Sequence, residues 1–175
     1  MYCYCACLFS LLGVWPRADV SAPKPLQSPA RSLRSLPTDP HFIAALAAGV
    51  IVWALLAAID GIAGVGALPK RDLVRYLLVV LAYPFVEELC FRGWMQPVLA
   101  ERMQHRRAGV VSVANLLTSA AFALLHLINH PPLAAIATFV PSLVFGHFQE
   151  RYRRILPCVV LHAFYNAGYF ALFAT

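Results

Sequence analysis

Residues 77–94 read LLVVLAYPFVEELCFRGW, an apolar stretch that carries three charged residues, Glu87, Glu88 and Arg92. A charged side chain at the centre of a membrane-spanning helix costs about 2.5–3.5 kcal/mol on insertion scales. Three such charges facing lipid would cancel most of the insertion free energy of the surrounding leucines and valines. They must therefore face a polar interior, pair with one another, or lie near the membrane surface. A carboxylate inside the membrane is by default a candidate functional residue.

The whole chain has the composition of a membrane protein. Of its 175 residues, 61% are hydrophobic and 13% are charged, against about 45–50% and about 25% in soluble domains. The net charge of +6 comes from short basic clusters between apolar runs, which is typical of loop anchoring and not of a nucleic-acid-binding surface. We therefore expect an all-α, polytopic membrane protein that has the lipid bilayer, and no nucleic acid, as a partner.

The apolar segments predict one bundle of about five transmembrane helices, residues 41–175. Residues 16–40 are rich in proline, serine and basic residues, so we expect residues 1–40 to be a disordered or dispensable tail. The predicted spans cover residues 42–59, 72–92, 109–129, 133–148 and 155–174. Gly93 and Pro97 disturb the second pattern, and residues 94–107 are amphipathic and basic, which predicts a segment lying along the membrane surface.

The basic loop residues favour an inside N-terminus in a multi-pass protein, and we expect a bacterial cytoplasmic membrane as its location. Straight helices raise a conflict, however. Glu87 lies about 8 Å from the inner end of the second helix, and His126 lies about 5 Å from the opposite end of the third. The two depths meet only if residues 94–107 cross part of the bilayer, or if a helix is broken or tilted.

Glu88 and Arg92 are four residues apart, with the acid first, which is the favoured order for an ion pair on one helix face. Glu87 is rotated about 100° away from that face. This spacing predicts that Glu88 and Arg92 form a supporting ion pair and that Glu87 is left for chemistry.

Two further apolar segments carry polar residues at helical spacing. His126 stands one turn after Phe122 in FALLHLINH, residues 122–130. His162 and Asn166 are again four residues apart in the last helix. Such a pair joins helices by hydrogen bonds or supplies two donors for a developing oxyanion, and the spacing alone leaves both readings open.

In order along the chain these motifs are E-E-x-x-x-R, F-x-x-x-H and H-x-x-x-N. Over residues 75–170 the chain resembles the CPBP family of intramembrane proteases (CAAX protease and bacteriocin-processing, or Abi). The resemblance implies a helical bundle with an interior polar cavity and a glutamate-type endopeptidase that needs no cofactor. It implies that Glu87 and His126 activate the water, that His162 and Asn166 form the oxyanion site, and that the substrate is a membrane-associated protein or peptide cleaved near its C-terminus.

The chain also departs from that family. Its core is shorter than that of the eight-helix eukaryotic members, its long N-terminal tail is not part of the pattern, and it stops soon after Asn166. The family resemblance leaves two substrate types open, a prenylated CAAX protein and a C-terminal sorting signal.

Three other functions compete with a metal-free protease. His126 and His130 have the spacing of metal ligands and could form a zinc site with Glu87 and His162, although Pro131 biases His130 away from helical geometry. A bacteriocin-immunity protein or membrane scaffold could keep the same residues for packing. A small proton-coupled transporter would also need a buried carboxylate, but the chain lacks two matching halves.

Overall fold

The computed structural model describes residues 30–60 and 73–173, which form an almost entirely helical bundle and confirm the all-α prediction. In chain order, the described elements are a 3₁₀ helix (Leu33–Thr38), α1 (Pro40–Asp60), α2 (residues 73–102), β1 (Arg107–Ala108), β2 (Val111–Ser112), α3 (Val113–His126), α4 (Pro132–Ala137), α5 (Phe139–Tyr152) and α6 (Leu156–Phe173). The two strands form a small antiparallel hairpin between α2 and α3. The greater part of the predicted tail, residues 1–29, lies outside the described residues.

Three described stretches are long and apolar enough to cross a membrane: Pro40–Ile59, Pro132–Tyr152 and Leu156–Phe173. Their outer surfaces are apolar, as lipid contact requires; Ile59, for example, is 77% exposed. The predicted count of five spans is reached only if α2 and the 14-residue α3 are added. The chain is an integral membrane protein in which α2 and α3 differ from the three longer apolar stretches in regularity and in length.

The helix α2 runs on through Gly93 and Pro97, so the predicted break there is wrong, and residues 94–102 belong to this helix and do not form a separate surface segment. Its consecutive parts are Leu73–Leu77 (α), Leu78–Ala82 (π), Tyr83–Glu88 (α), Leu89–Met95 (π) and Gln96–Arg102 (α). The sequence pattern of α-helical spacing gave no sign of these two wider turns.

Each π segment ends two residues before a proline, Pro84 or Pro97. A proline inside a helix has no N–H to donate, and its ring clashes with the carbonyl four residues back. The π segment widens the turn just before the proline, and the N–H of Tyr83 bonds the carbonyl of Leu78, five residues back. The helix therefore continues through both prolines.

The length of α2 removes the conflict over depth. Glu87 and His126 each lie roughly 20 Å from the hairpin end of the bundle, counting about 1.5 Å of rise per residue back along α2 and forward along α3. The structure shows that residues beyond 94 continue α2, as the alternative in which residues 94–107 cross part of the bilayer requires.

Two apolar clusters hold the helices together. The larger one joins α1, α5 and α6, and the smaller one joins α2 and α3. The larger cluster consists of Phe42, Ala45, Phe145, Phe148, Tyr152, Cys158 and Leu161. The smaller cluster consists of Phe91, Met95 and Phe122. The Arg92 guanidinium of α2 lies between these clusters, against Phe122 of one and Phe145 of the other.

Asp39, just before α1, ties that helix to the end of α5. Its carboxylate is 1% exposed and accepts hydrogen bonds from Arg151 Nε (2.7 Å) and Tyr152 Oη (2.7 Å). The hydrogen bond from Arg151 holds the pKa of the Asp39 carboxyl well below its usual range. Leu33 and Leu36 pack against the larger cluster, so the last residues of the predicted tail contact the core; whether residues 1–40 are dispensable stays a prediction.

Candidate active site

The two glutamates of α2 meet His162 of α6. His162 Nδ1 lies 2.9 Å from Glu88 Oε1, and His162 Nε2 lies 3.7 Å from Glu87 Oε2. The imidazole therefore stands between two carboxylates that the sequence assigned to different roles. The Glu88 side chain is fully buried, whereas that of Glu87 is 18% exposed, so Glu87 is the carboxylate that a water or substrate can reach.

The contact with Glu88 fixes how His162 is oriented. A carboxylate oxygen accepts hydrogen bonds, so Nδ1 carries the proton and Nε2 points toward Glu87. A carboxylate that holds one ring nitrogen of a histidine sets both its tautomer and its orientation. Phe145 stacks on the imidazole ring, with centroids 5.0 Å apart. Sequence reasoning missed both contacts, because they cross between helices and no spacing along the chain reports them.

The predicted ion pair of Glu88 and Arg92 is present. Arg92 Nε lies 3.3 Å from Glu88 Oε2, and both side chains are 0% exposed. Arg92 also donates to the carbonyl and hydroxyl oxygens of Ser142 on α5, and its guanidinium lies 4.9 Å from the centre of the Phe122 ring. Glu88 thus serves two partners, Arg92 and His162, whereas the sequence predicted only the first.

His126 is the last residue of α3, and the Phe122 ring lies between it and His162. Its Nδ1 donates to the carbonyl of Phe122 at 2.9 Å, which leaves Nε2 of the neutral ring as an acceptor. The Phe122 ring lies 4.4 Å from the His126 ring and 5.8 Å from the His162 ring, measured between centroids. His126 is therefore one aromatic ring away from His162, and its described contacts are with Phe122 and His130.

Asn166 points from α6 to the first π segment of α2. Its Nδ2 donates to the carbonyl of Val79 at 2.8 Å. That carbonyl needs a partner because the π register would pair it with residue 84, which is Pro84 and has no N–H. One of the two N–H groups of Asn166 thus satisfies a backbone oxygen that a proline has orphaned. The hydrogen-bonding reading that the sequence left open is present for Asn166.

The zinc alternative requires three or more ligands in one place. His126 and His130 stack with ring centroids 5.4 Å apart. Among residues 30–60 and 73–173, however, no group of three His, Cys, Asp or Glu side chains could hold a metal ion. His130 lies after the end of α3 and before Pro131, in agreement with the predicted effect of that proline.

A family comparison agrees with the resemblance seen in the motifs. The family model described as type II CAAX prenyl endopeptidase Rce1-like matches residues 69–168, which is more than half of the chain and includes every candidate site residue. No curated protein and no solved structure matches the chain. The chain belongs to the Rce1-like family of CAAX prenyl endopeptidases, and with it to the CPBP group of membrane proteases.

Proposed function

We propose that this protein is an intramembrane endopeptidase that cleaves a membrane-associated protein or peptide near its C-terminus, with a water activated by Glu87. The observation that carries the proposal is the placement of His162 between Glu87 and Glu88 on two apolar helices. Burying a charge costs desolvation free energy, so two carboxylates around one imidazole are not explained by helix packing alone. Amide hydrolysis gives the same groups a use, since it needs a base and donors for an oxyanion.

Exposure supports Glu87 as the base. Its carboxylate is reachable, whereas Glu88 is buried against Arg92 and His162. Glu87 takes a proton from the attacking water, and Nε2 of His126 is a second acceptor in the same region. The water oxygen bonds the peptide carbon, the proton then passes to the amide nitrogen, and the bond between that carbon and nitrogen breaks. The products are a carboxylic acid and an amine, and the enzyme groups return to their starting state.

His162 and Asn166 supply the donors for the oxyanion. Nε2 of His162 donates when the ring carries both protons, and Glu88 keeps that nitrogen pointed toward Glu87. Asn166 offers the N–H that does not bind Val79. Preorganised donors of this kind lower the barrier by about 2.7–4 kcal/mol for each donor. Glu88 and Arg92 act in support, as the ion pair that fixes His162 in place.

The test is a cleavage assay on peptides that end in a CAAX sequence or in a sorting signal, each prepared with and without a prenyl group. The purified protein is reconstituted in liposomes, and mass spectrometry locates the cleaved bond. We expect a cut close to the C-terminus of at least one peptide. No cleavage of any peptide, together with a cellular immunity phenotype that survives Glu87→Gln, would favour the non-enzymatic alternative.

A further inference from the structure

A band of buried polar side chains runs along the contact between α2, α3 and α5, and we call it the polar seam. It includes residues beyond the site described above, at helical spacing on each of the three helices. Its members are Glu88, Arg92 and Gln96 on α2, Ser112, Asn115, Thr118 and Ser119 at the start and along α3, and Ser142 and Glu150 on α5. Apart from Glu150, all of these residues are buried.

One end of the polar seam reaches the protein surface at Glu150. The Glu150 side chain is 27% exposed, and its Oε2 lies 3.8 Å from Arg107 Nη1 in the hairpin. Its Oε1 accepts hydrogen bonds from Gln96 Nε2 at 3.0 Å and from the Ser112 hydroxyl. The other end of the seam is Glu88, which holds His162. The seam thus connects the hairpin end of the bundle with the site.

The middle of the polar seam contains polar atoms that the helices do not satisfy. Arg92 Nη1, Gln96 Oε1 and Thr118 Oγ1 are buried and have no hydrogen-bond partner among the described residues. They are a donor, an acceptor and a group that is both. Buried polar groups in proteins nearly always have a partner, and a water with several polar neighbours is a common one.

The three atoms belong to the same short stretch of the bundle. On α3, Phe122 packs on the Arg92 guanidinium, and Asn115 fills the space beside Gly146, whose carbonyl accepts from Gln96. Thr118 lies between Phe122 and Asn115 on that helix, so it stands at the level between Arg92 and Gln96. A water at this level would have a donor, an acceptor and a hydroxyl around it.

We propose that the polar seam is hydrated and delivers water from the Glu150 end of the bundle to the Glu88–His162 pair. This inference rests on the proposed function, because hydrolysis consumes one water for each bond cut. Gln96 and Thr118 act as positioning residues, since they hold water in the seam and touch neither substrate nor the reacting atoms. The route lies inside the contact between the three helices.

Hydration is tested directly by X-ray radiolysis, which makes hydroxyl radicals from water in place and oxidises a nearby thiol. The probe is Thr118→Cys, a substitution of similar size. Cys158 is the matched control within the same molecule, because it is fully buried in the larger apolar cluster. We expect the new thiol to be oxidised many times faster than Cys158, whose slow oxidation also reports that the fold is intact. Equal, slow oxidation of both thiols would overturn the proposal.

Kinetics tests the delivery of water separately. Gln96→Leu removes both polar atoms at similar volume, and we expect kcat to fall by about tenfold or more with KM unchanged, as for a misplaced reactant. Tyr152→Phe is the control, since it removes a buried hydroxyl outside the seam, and it should leave kcat unchanged. An unchanged kcat in Gln96→Leu would refute delivery through the seam. The radiolysis result does not depend on activity, so failure of the proposed protease function is distinguishable from a dry seam.

Discussion

Asn166→Ala separates a catalytic role from a packing role, because the two roles predict effects of different size. The substitution leaves the Val79 carbonyl without its 2.8 Å partner. Hydrogen bonds between membrane helices average about 0.6 kcal/mol and reach about 1.7 kcal/mol, so the free energy of unfolding should fall by an amount in that range. Loss of one oxyanion donor costs about 10²–10³ in kcat, which is about 2.7–4 kcal/mol. The packing loss alone is too small to produce that kinetic effect.

The assay is steady-state cleavage in liposomes, with kcat and KM determined separately, beside reversible unfolding of the same protein in mixed micelles. Pro84→Ala is the matched control for stability, since an alanine at position 84 has a backbone N–H that can donate to the Val79 carbonyl. In the Pro84→Ala background, Asn166→Ala should therefore cost less unfolding free energy than in the wild type. A fall in kcat of less than about tenfold in Asn166→Ala would refute the oxyanion role and leave Asn166 as a cap for the proline-disrupted turn.

The remaining predictions concern stability. Arg92→Ala should remove about 3–5 kcal/mol of unfolding free energy, because it takes the arginine away from the buried Glu88 carboxylate. The yield of folded protein should drop, whereas the exposed Arg102→Ala should have little effect. Normal accumulation with loss of activity alone would show that the ion pair serves chemistry. The Asp39 carboxyl has a lowered pKa in the folded state, so its contribution to the free energy of unfolding is present above the unfolded pKa of about 3.9 and is lost as the pH falls below it. Unfolding curves against pH should show that loss in the wild type and not in Asp39→Asn. Identical curves for the two proteins would contradict the role of Asp39 in tying α1 to α5. Gly146→Ala should destabilise the bundle by about 1–3 kcal/mol, because its new methyl group would overlap the Asn115 side chain of α3. The methyl group of Gly93→Ala would lie 3.3 Å or more from its nearest neighbours, in a leucine side chain, an isoleucine side chain and a backbone carbonyl. Equal melting curves for the two variants would contradict this packing.

Much of the fold follows from the composition and spacing of the chain. Apolar length predicted α1 and α6 closely, and the i,i+4 rule predicted the ion pair of Glu88 and Arg92, because both depend on residues near one another in sequence. The length of α2 could not be predicted in the same way. Gly93 and Pro97 are helix breakers by local preference, and only the π segments that precede the prolines let the helix continue.

In the candidate site, too, the sequence predicted some features and not others. Motif order identified the residues that carry polar groups into the bundle, and their family resemblance suggested roles for them. The sequence did not predict that Glu88 holds His162, or that Asn166 caps Val79, since each contact joins residues more than seventy positions apart. The second of these has a signal that could have found it, namely a proline in an apolar helix opposite an asparagine in another.

The most direct test of the central claim compares cleavage by the wild type and by Glu87→Gln in liposomes, each with and without a metal chelator. Glu87→Gln keeps the shape of the side chain and removes the base. We expect that the wild type cleaves its peptide in the presence of the chelator, and that Glu87→Gln folds normally and cleaves almost nothing. Cleavage retained in Glu87→Gln, or wild-type cleavage that the chelator abolishes and zinc restores, would contradict this expectation.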